Sequence, residues 1–95
     1  MSEPQELIGR VGVPVQILLE STPGTGAIWY VYSVVPAAAV DNIDTHEAGE
    51  GIGGPVVQVF ELRAAEPGRY LVTFHLKRSW ENIARQDAQF EVHIA

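Results

Sequence analysis

Apolar side chains recur at every second position through most of this chain, the repeat of an extended strand with one buried face. Val15, Ile17 and Leu19 alternate with Gln16, Leu18 and Glu20. Val56–Arg63 reads as a strand with Phe60 and Leu62 facing inward. Tyr70, Val72, Phe74 and Leu76 form the inner face of another, with Thr73, His75 and Lys77 pointing away. Phe90, Val92 and Ile94 repeat the pattern near the end, with Glu91 and His93 outward. The run Ile28–Val35 is dense in β-branched and aromatic types, which suit a pleated, half-buried surface. A weaker strand at Leu7–Val11 opens the chain.

Turn-forming residues punctuate these strands. They cluster at Ser21–Gly26, at Glu50–Pro55, and at Glu66-Pro67-Gly68, where proline presets φ and glycine accepts a positive one. Arg78–Ala88 reads as a polar loop. Pro36–Val40 has some helical propensity, but a proline start and a short run argue against a helix. Pro36–Glu50 is therefore expected to be a connection carrying one short strand near Val40–Thr45. About seven strands at this spacing predict a single all-β domain over residues 1–95, an immunoglobulin-like antiparallel β-sandwich. The Cys…Trp…Cys signature of that fold is missing, since the chain has no cysteine. Trp29 is the residue expected to fill the space between the sheets.

Composition narrows the function. Net charge is −6, and among the six basic residues only Lys77 and Arg78 are adjacent. Nucleic acid is not an expected partner, because neutralising phosphates needs clustered Lys and Arg. No apolar run approaches the roughly 20 residues of a membrane helix, so no membrane partner is expected either. Absence of cysteine removes disulfides, thiolate metal sites and a cysteine nucleophile. The acidic, polar start Met1-Ser2-Glu3-Pro4-Gln5 shows no signal peptide. Either the protein stays inside the cell or a leader has been removed. A monomer is expected.

Catalytic constellations are weak. His46-Glu47 is too short a cluster to hold a metal, and His75 and His93 lie on separate strands, so no metal or cofactor is expected. No nucleophile-elbow pattern accompanies the serines. Gly51-Ile52-Gly53-Gly54 lacks the Lys-Ser/Thr and the helix of a phosphate-binding loop, and lacks the strand and helix of a dinucleotide site. Three glycines in four residues instead suit a hinge or a loop that presses its backbone against a partner. Pro23, Gly24 and Gly26 are what a tight connection uses, and they also permit close approach of main chain to another surface. Arg78-Ser79-Trp80 follows the Tyr70–Lys77 strand. Trp80 is either a lid folded onto the core or a solvent-facing interface anchor, a role in which Trp and Arg are enriched.

Taken in order, these three loops resemble the chagasin family, small immunoglobulin-like inhibitors of papain-like cysteine peptidases. That family carries an Asn-Pro-Thr-Thr-Gly loop running into an aromatic strand start with Trp, then Gly-x-Gly-Gly, then Arg-Pro-Trp. Here the first reads Thr22-Pro23-Gly24-Thr25-Gly26-Ala27-Ile28-Trp29, the second is intact as Gly51-Ile52-Gly53-Gly54, and the third is Arg78-Ser79-Trp80. The resemblance extends over nearly the whole chain from about Leu7. Thr22 stands in place of Asn, Gly24 in place of the first Thr, Ala27 in place of an aromatic and Ser79 in place of Pro.

The resemblance implies reversible, tight inhibition of a papain-like cysteine peptidase. Thr22, Pro23, Gly24, Thr25 and Gly26 would enter at the catalytic centre, Gly51, Ile52, Gly53 and Gly54 would lie along one side of the cleft, and Arg78, Ser79 and Trp80 would lie along the other. The chain would not be an enzyme. Drift in the first loop, signalled by Gly24, leaves a non-inhibitory immunoglobulin-like interaction module as the alternative. A small enzyme or a carbohydrate-binding domain using Tyr30, Tyr32 or Trp80 is a third reading.

Overall fold

The computed structural model describes residues 4–21, 26–47 and 55–95. Among these, seven strands and no helix form: β1 (Gln5–Gly9), β2 (Val15–Ser21), β3 (Ile28–Val35), β4 (Ala39–Glu47), β5 (Val56–Arg63), β6 (Gly68–Lys77) and β7 (Gln86–Ile94). One sheet has the order β1-β7-β6-β3 and the other β2-β5-β4. This is an immunoglobulin-like β-sandwich, with the opening strand placed on the sheet that contains the last one.

In β2, β5, β6 and β7 the inner-face residues at every second position supply the buried core, as the alternation requires. Ile17 and Leu19 of β2 and Phe60 and Leu62 of β5 meet Tyr70, Val72 and Phe74 of β6 and Phe90, Val92 and Ile94 of β7. Phe60 and Phe74 join the two sheets with ring centroids 4.7 Å apart and tilted by 54°. Phe90 then meets Phe74 edge-on at 5.7 Å. Such offset and edge-on pairs are the arrangements favoured by the aromatic quadrupole. Trp29 is 5% exposed and fills the core at one end of the sandwich.

A second fold signature lies at the opposite end. The Tyr70 hydroxyl donates to the Glu66 carbonyl oxygen at 2.7 Å. A tyrosine near the start of this strand, bonded back to the turn before it, is the tyrosine corner of immunoglobulin-like sandwiches. Alternation identifies Tyr70 only as an inward residue. The hydroxyl explains why tyrosine serves here rather than phenylalanine.

Four expectations are corrected. The sandwich is not wholly antiparallel, because β1 pairs with β7 in parallel, Gln5 opposite Phe90 through Gly9 opposite Ile94. These strands come from opposite ends of the chain, so no hairpin sets their direction. The opening strand is Gln5–Gly9 rather than Leu7–Val11, because the chain turns at Arg10–Val13. There the Val13 amide donates to the Arg10 carbonyl oxygen at 3.1 Å and Gly12 takes φ +79°. The short strand near Val40–Thr45 is the nine-residue β4. Most of its side chains are exposed: Val40 packs against the core but Ile43 is exposed where the register shifts, so no apolar alternation marks the strand, and the ladder to β5 fixes its length. The loop placed at Arg78–Ala88 ends earlier, because Gln86 already pairs with Leu76.

Candidate functional site

The pairing registers place three connections at one end of the sandwich. Ser21, the last residue of β2, lies opposite Val56, the first of β5. Glu47, the last of β4, also lies opposite Val56. Ile28, the first of β3, lies opposite Lys77, the last of β6. Leu76 in turn lies opposite Gln86, the first of β7. β2 and β3 belong to different sheets, so the chain changes sheet at this end, where β4 also ends and β5 begins and where β6 ends and β7 begins. Of the sequence-predicted site residues, Thr22, Pro23, Gly24, Thr25, Gly51, Ile52, Gly53 and Gly54 lie outside the described residues. Gly26, Arg78, Ser79 and Trp80 lie within them.

Gly26 and Arg78 bring two of these connections into contact. A Cβ added to Gly26 would meet the Arg78 Nε at 3.8 Å, the Cγ at 3.9 Å and the Cδ at 4.0 Å. The last residue of the first loop therefore packs along the aliphatic stem of an arginine in the third. Gly26 also takes φ +79°, a left-handed conformation that favours glycine. Ala27, which follows, is buried at the base of the connection.

Trp80 is 72% exposed, and the Arg78 guanidinium carbon lies 5.8 Å from its ring centroid. The ring is thus a solvent-facing side chain backed by a cation on its face. Ser79 beside it is exposed. Ile83, three residues on, is 83% exposed, which sequence reasoning missed because one isoleucine in a polar loop carries no periodicity. Together they give the β6–β7 connection two projecting apolar side chains.

Glu81 organises this connection. Its Oε1 accepts from the Arg78 amide at 2.8 Å and from the Arg85 Nε at 3.1 Å. The Glu81 amide donates to the Arg78 carbonyl oxygen at 3.0 Å, and the Lys77 ammonium donates to the Glu81 carbonyl oxygen at 3.2 Å. The Arg78 amide, followed by the Arg85 guanidinium, holds the Glu81 carboxyl below the ordinary glutamate range. Residues 78–81 thus form a closed turn with Ser79 and Trp80 at its tip.

Beneath the connections, Trp29 ties the sheets together. Its indole Nε1 donates to the Glu20 carbonyl oxygen at 2.8 Å. Its amide donates to the Gln58 Oε1 at 2.8 Å, and the Gln58 Nε2 donates back to the Trp29 carbonyl oxygen at 3.2 Å. Gln58 is 2% exposed. Sequence reasoning missed it, although a polar residue in the inward register of Phe60 and Leu62 is a signal that calls for a buried partner.

Comparison with known proteins agrees with this architecture. No curated protein sequence matches the chain. Solved structures that share its fold include the cysteine protease inhibitor EhICP2 from Entamoeba histolytica, PbICP-C in complex with falcipain-2, and Amebosin. The first is 16% identical with a TM-score of 0.65, covering 96% of this chain and 94% of that one. The second is 15% identical with a TM-score of 0.72, covering 99% and 91%. The third is 19% identical with a TM-score of 0.65, covering 99% and 100%. The sequence profile of the chagasin family of peptidase inhibitors (inhibitor family I42) matches residues 10–94. The chain therefore belongs to the chagasin family, a family of peptidase inhibitors and not of enzymes.

Proposed function

We propose that this chain is a reversible inhibitor of papain-like cysteine peptidases that seats its three-connection end in the active-site cleft. The observation that carries the reading is the convergence of the three connections on one end, with Trp80 projecting there into solvent. Family membership and the complex of PbICP-C with falcipain-2 support it.

In this reading the β2–β3 connection, Thr22–Gly26, enters at the catalytic cysteine and histidine. Glycine at positions 24 and 26 lets main chain lie against the cleft walls. Inhibition is by occlusion: no peptide bond of the chain is presented for attack, and no acyl-enzyme forms. The Gly51–Gly54 connection lies along one wall. Trp80 rests on an apolar patch of the other wall, Arg78 backs its ring and Ser79 shapes the tip of the turn. The scaffold contributes rigidity. The Trp29–Gln58 bonds and the Glu81 turn fix the loop bases before binding, which reduces the ordering cost of association.

Titration of papain and a small panel of cathepsins tests the proposal. The expected result is competitive, reversible inhibition at sub-micromolar concentrations, with the domain recovered uncleaved. Activity unchanged across the panel at micromolar protein would overturn it in favour of a non-inhibitory interaction module.

A further inference from the structure

We infer that the interface with the peptidase continues past Trp80 down the outer face of the four-stranded sheet, an extension that rests on the inhibitory reading above. There Tyr30, Tyr32, His75, Lys77 and Asn82 receive an acidic surface segment of the same enzyme. Three ring contacts stand in a row on this face. The Arg78 guanidinium carbon lies 5.8 Å from the Trp80 ring centroid, and the Lys77 Nζ lies 5.5 Å from that of Tyr30. Tyr32 stacks on His75 with centroids 3.9 Å apart and planes 14° from parallel.

The pairing of β3 with β6 joins these contacts into one strip. Arg78 follows Lys77 directly, Ile28 lies opposite Lys77, and Tyr30 lies opposite His75. Trp29 and Val31 face the core, so Tyr30 faces out. The register then passes from Val31 opposite Phe74 to Ser33 opposite Thr73, which leaves Tyr32 as the extra residue of a bulge. A bulge re-aims a side chain, and this one lays Tyr32 across His75. Tyr32 is 67% exposed, so the ring face turned away from His75 meets solvent. Tyr30, Val31, Tyr32, His75, Lys77 and Asn82 line a hollow of about 420 Å³.

Continuity and charge say what fills the hollow. Asn82 belongs to the same connection as Trp80. The Lys77 ammonium that lies over Tyr30 also donates to the Glu81 carbonyl oxygen, which ties the turn presenting Trp80 to the hollow. The chain carries a net charge of −6, yet Lys77, Arg78 and Arg85, half of its six basic residues, fall within nine positions here. Two carboxylates border them. Glu81 accepts from the Arg78 amide and the Arg85 Nε, and Asp87 lies 3.3 Å from the His75 Nε2. β3 itself carries no charged residue. Exposed rings interleaved with cations and an amide suit an acidic protein segment, whose carboxylates would meet Lys77 and Asn82 while its aliphatic parts lie on Tyr32.

The peptidase of the panel that the parent chain inhibits most tightly is the probe, with inhibition constant and association rate measured over a range of salt. Tyr32→Ala should raise the inhibition constant about 5-fold. Asn82→Asp should weaken inhibition and slow association, and Asn82→Lys should do the reverse. Both effects should shrink with added salt, because charges at an interface rim act through the association rate and are screened. Leu18→Ala, at an exposed position on the other sheet, should change nothing. Tyr32→Ala matching an inhibitory parent, or both Asn82 variants moving inhibition in the same direction, would overturn the inference and leave the inhibitory reading standing. A parent chain that inhibits no member of the panel would overturn both. Self-association of the free chain that is lost in Tyr32→Ala would place a second copy on the strip and overturn the inference as well.

Discussion

The side-chain amide of Gln58 spans the gap between the two sheets and makes both of its hydrogen bonds to the main chain of Trp29. It does what a neighbouring strand would do, where no neighbouring strand exists. The bonds lie two residues into β5 and one into β3, directly under the connections that carry the proposed function. A buried polar pair of this kind is costly to leave half made.

Gln58→Ala should therefore leave the Trp29 amide and carbonyl without partners. Each unsatisfied buried group costs roughly 1–3 kcal/mol, so a loss of about 2–6 kcal/mol is expected. Trp29→Ala should cost about 3–5 kcal/mol through the cavity it leaves. Urea unfolding with an unchanged m-value would measure both. A Gln58→Ala variant as stable as the parent would mean that the bridge contributes nothing.

Trp80→Ala should separate binding from folding. A ring 72% exposed contributes little to the core, so Tm should stay within a degree or two. As an interface anchor its removal should cost about 2 kcal/mol, roughly a 30-fold rise in inhibition constant. Ile83→Ala should weaken binding in the same direction by less. Unchanged inhibition by Trp80→Ala would remove this side chain from the interface.

Strand identity was legible because the apolar repeat is physically enforced wherever one face of a sheet is buried, as at Ile17, Phe60, Val72 and Val92. Where a strand lies at an edge and both faces meet water, as in β4, no repeat is needed and the length was underestimated. The bounds of β1 and β7 were set by the Gly12 turn and by pairing with β6, and neither is written in local hydropathy. The exposed Trp80 was open to two readings because a polar loop supplies no period from which to infer direction. In the sequence Glu81 is only one of several charged residues in the polar loop Arg78–Ala88. Its role depends on Arg78 and Arg85 reaching one carboxylate, a three-dimensional fact with no sequence spacing of its own.

Acidification should loosen the turn that presents Trp80. The folded-state pKa of Glu81 is depressed, so its contribution is complete above the ordinary glutamate value of about 4.3 and is lost as pH falls through the lower, folded-state value. Carboxyl carbon shifts of Glu81 and the amide shift of Arg78 should titrate together with a midpoint under about 4.3. A midpoint at or above that value would contradict the hydrogen-bonded turn. At neutral pH, Glu81→Ala should weaken inhibition several-fold while leaving the core intact.

Gly26→Ala tests backbone conformation where space is not limiting. The added methyl would rest at ordinary contact distance on the Arg78 side chain, so no clash opposes it. The φ of +79° does oppose it, because a left-handed conformation costs an L-residue about 1–2 kcal/mol. The chain can accept that strain and lose stability, or relax the junction and displace the β2–β3 connection from Arg78. In the first case Tm falls and inhibition of the folded protein is retained. In the second, inhibition falls more steeply than stability. The Arg78 stem gives the junction a surface to rest on, and Trp29 fixes the chain three residues later, so the first outcome is expected. Paired measurements of Tm and inhibition constant distinguish the two, and a variant unchanged in both would show that Gly26 is not held in the left-handed region.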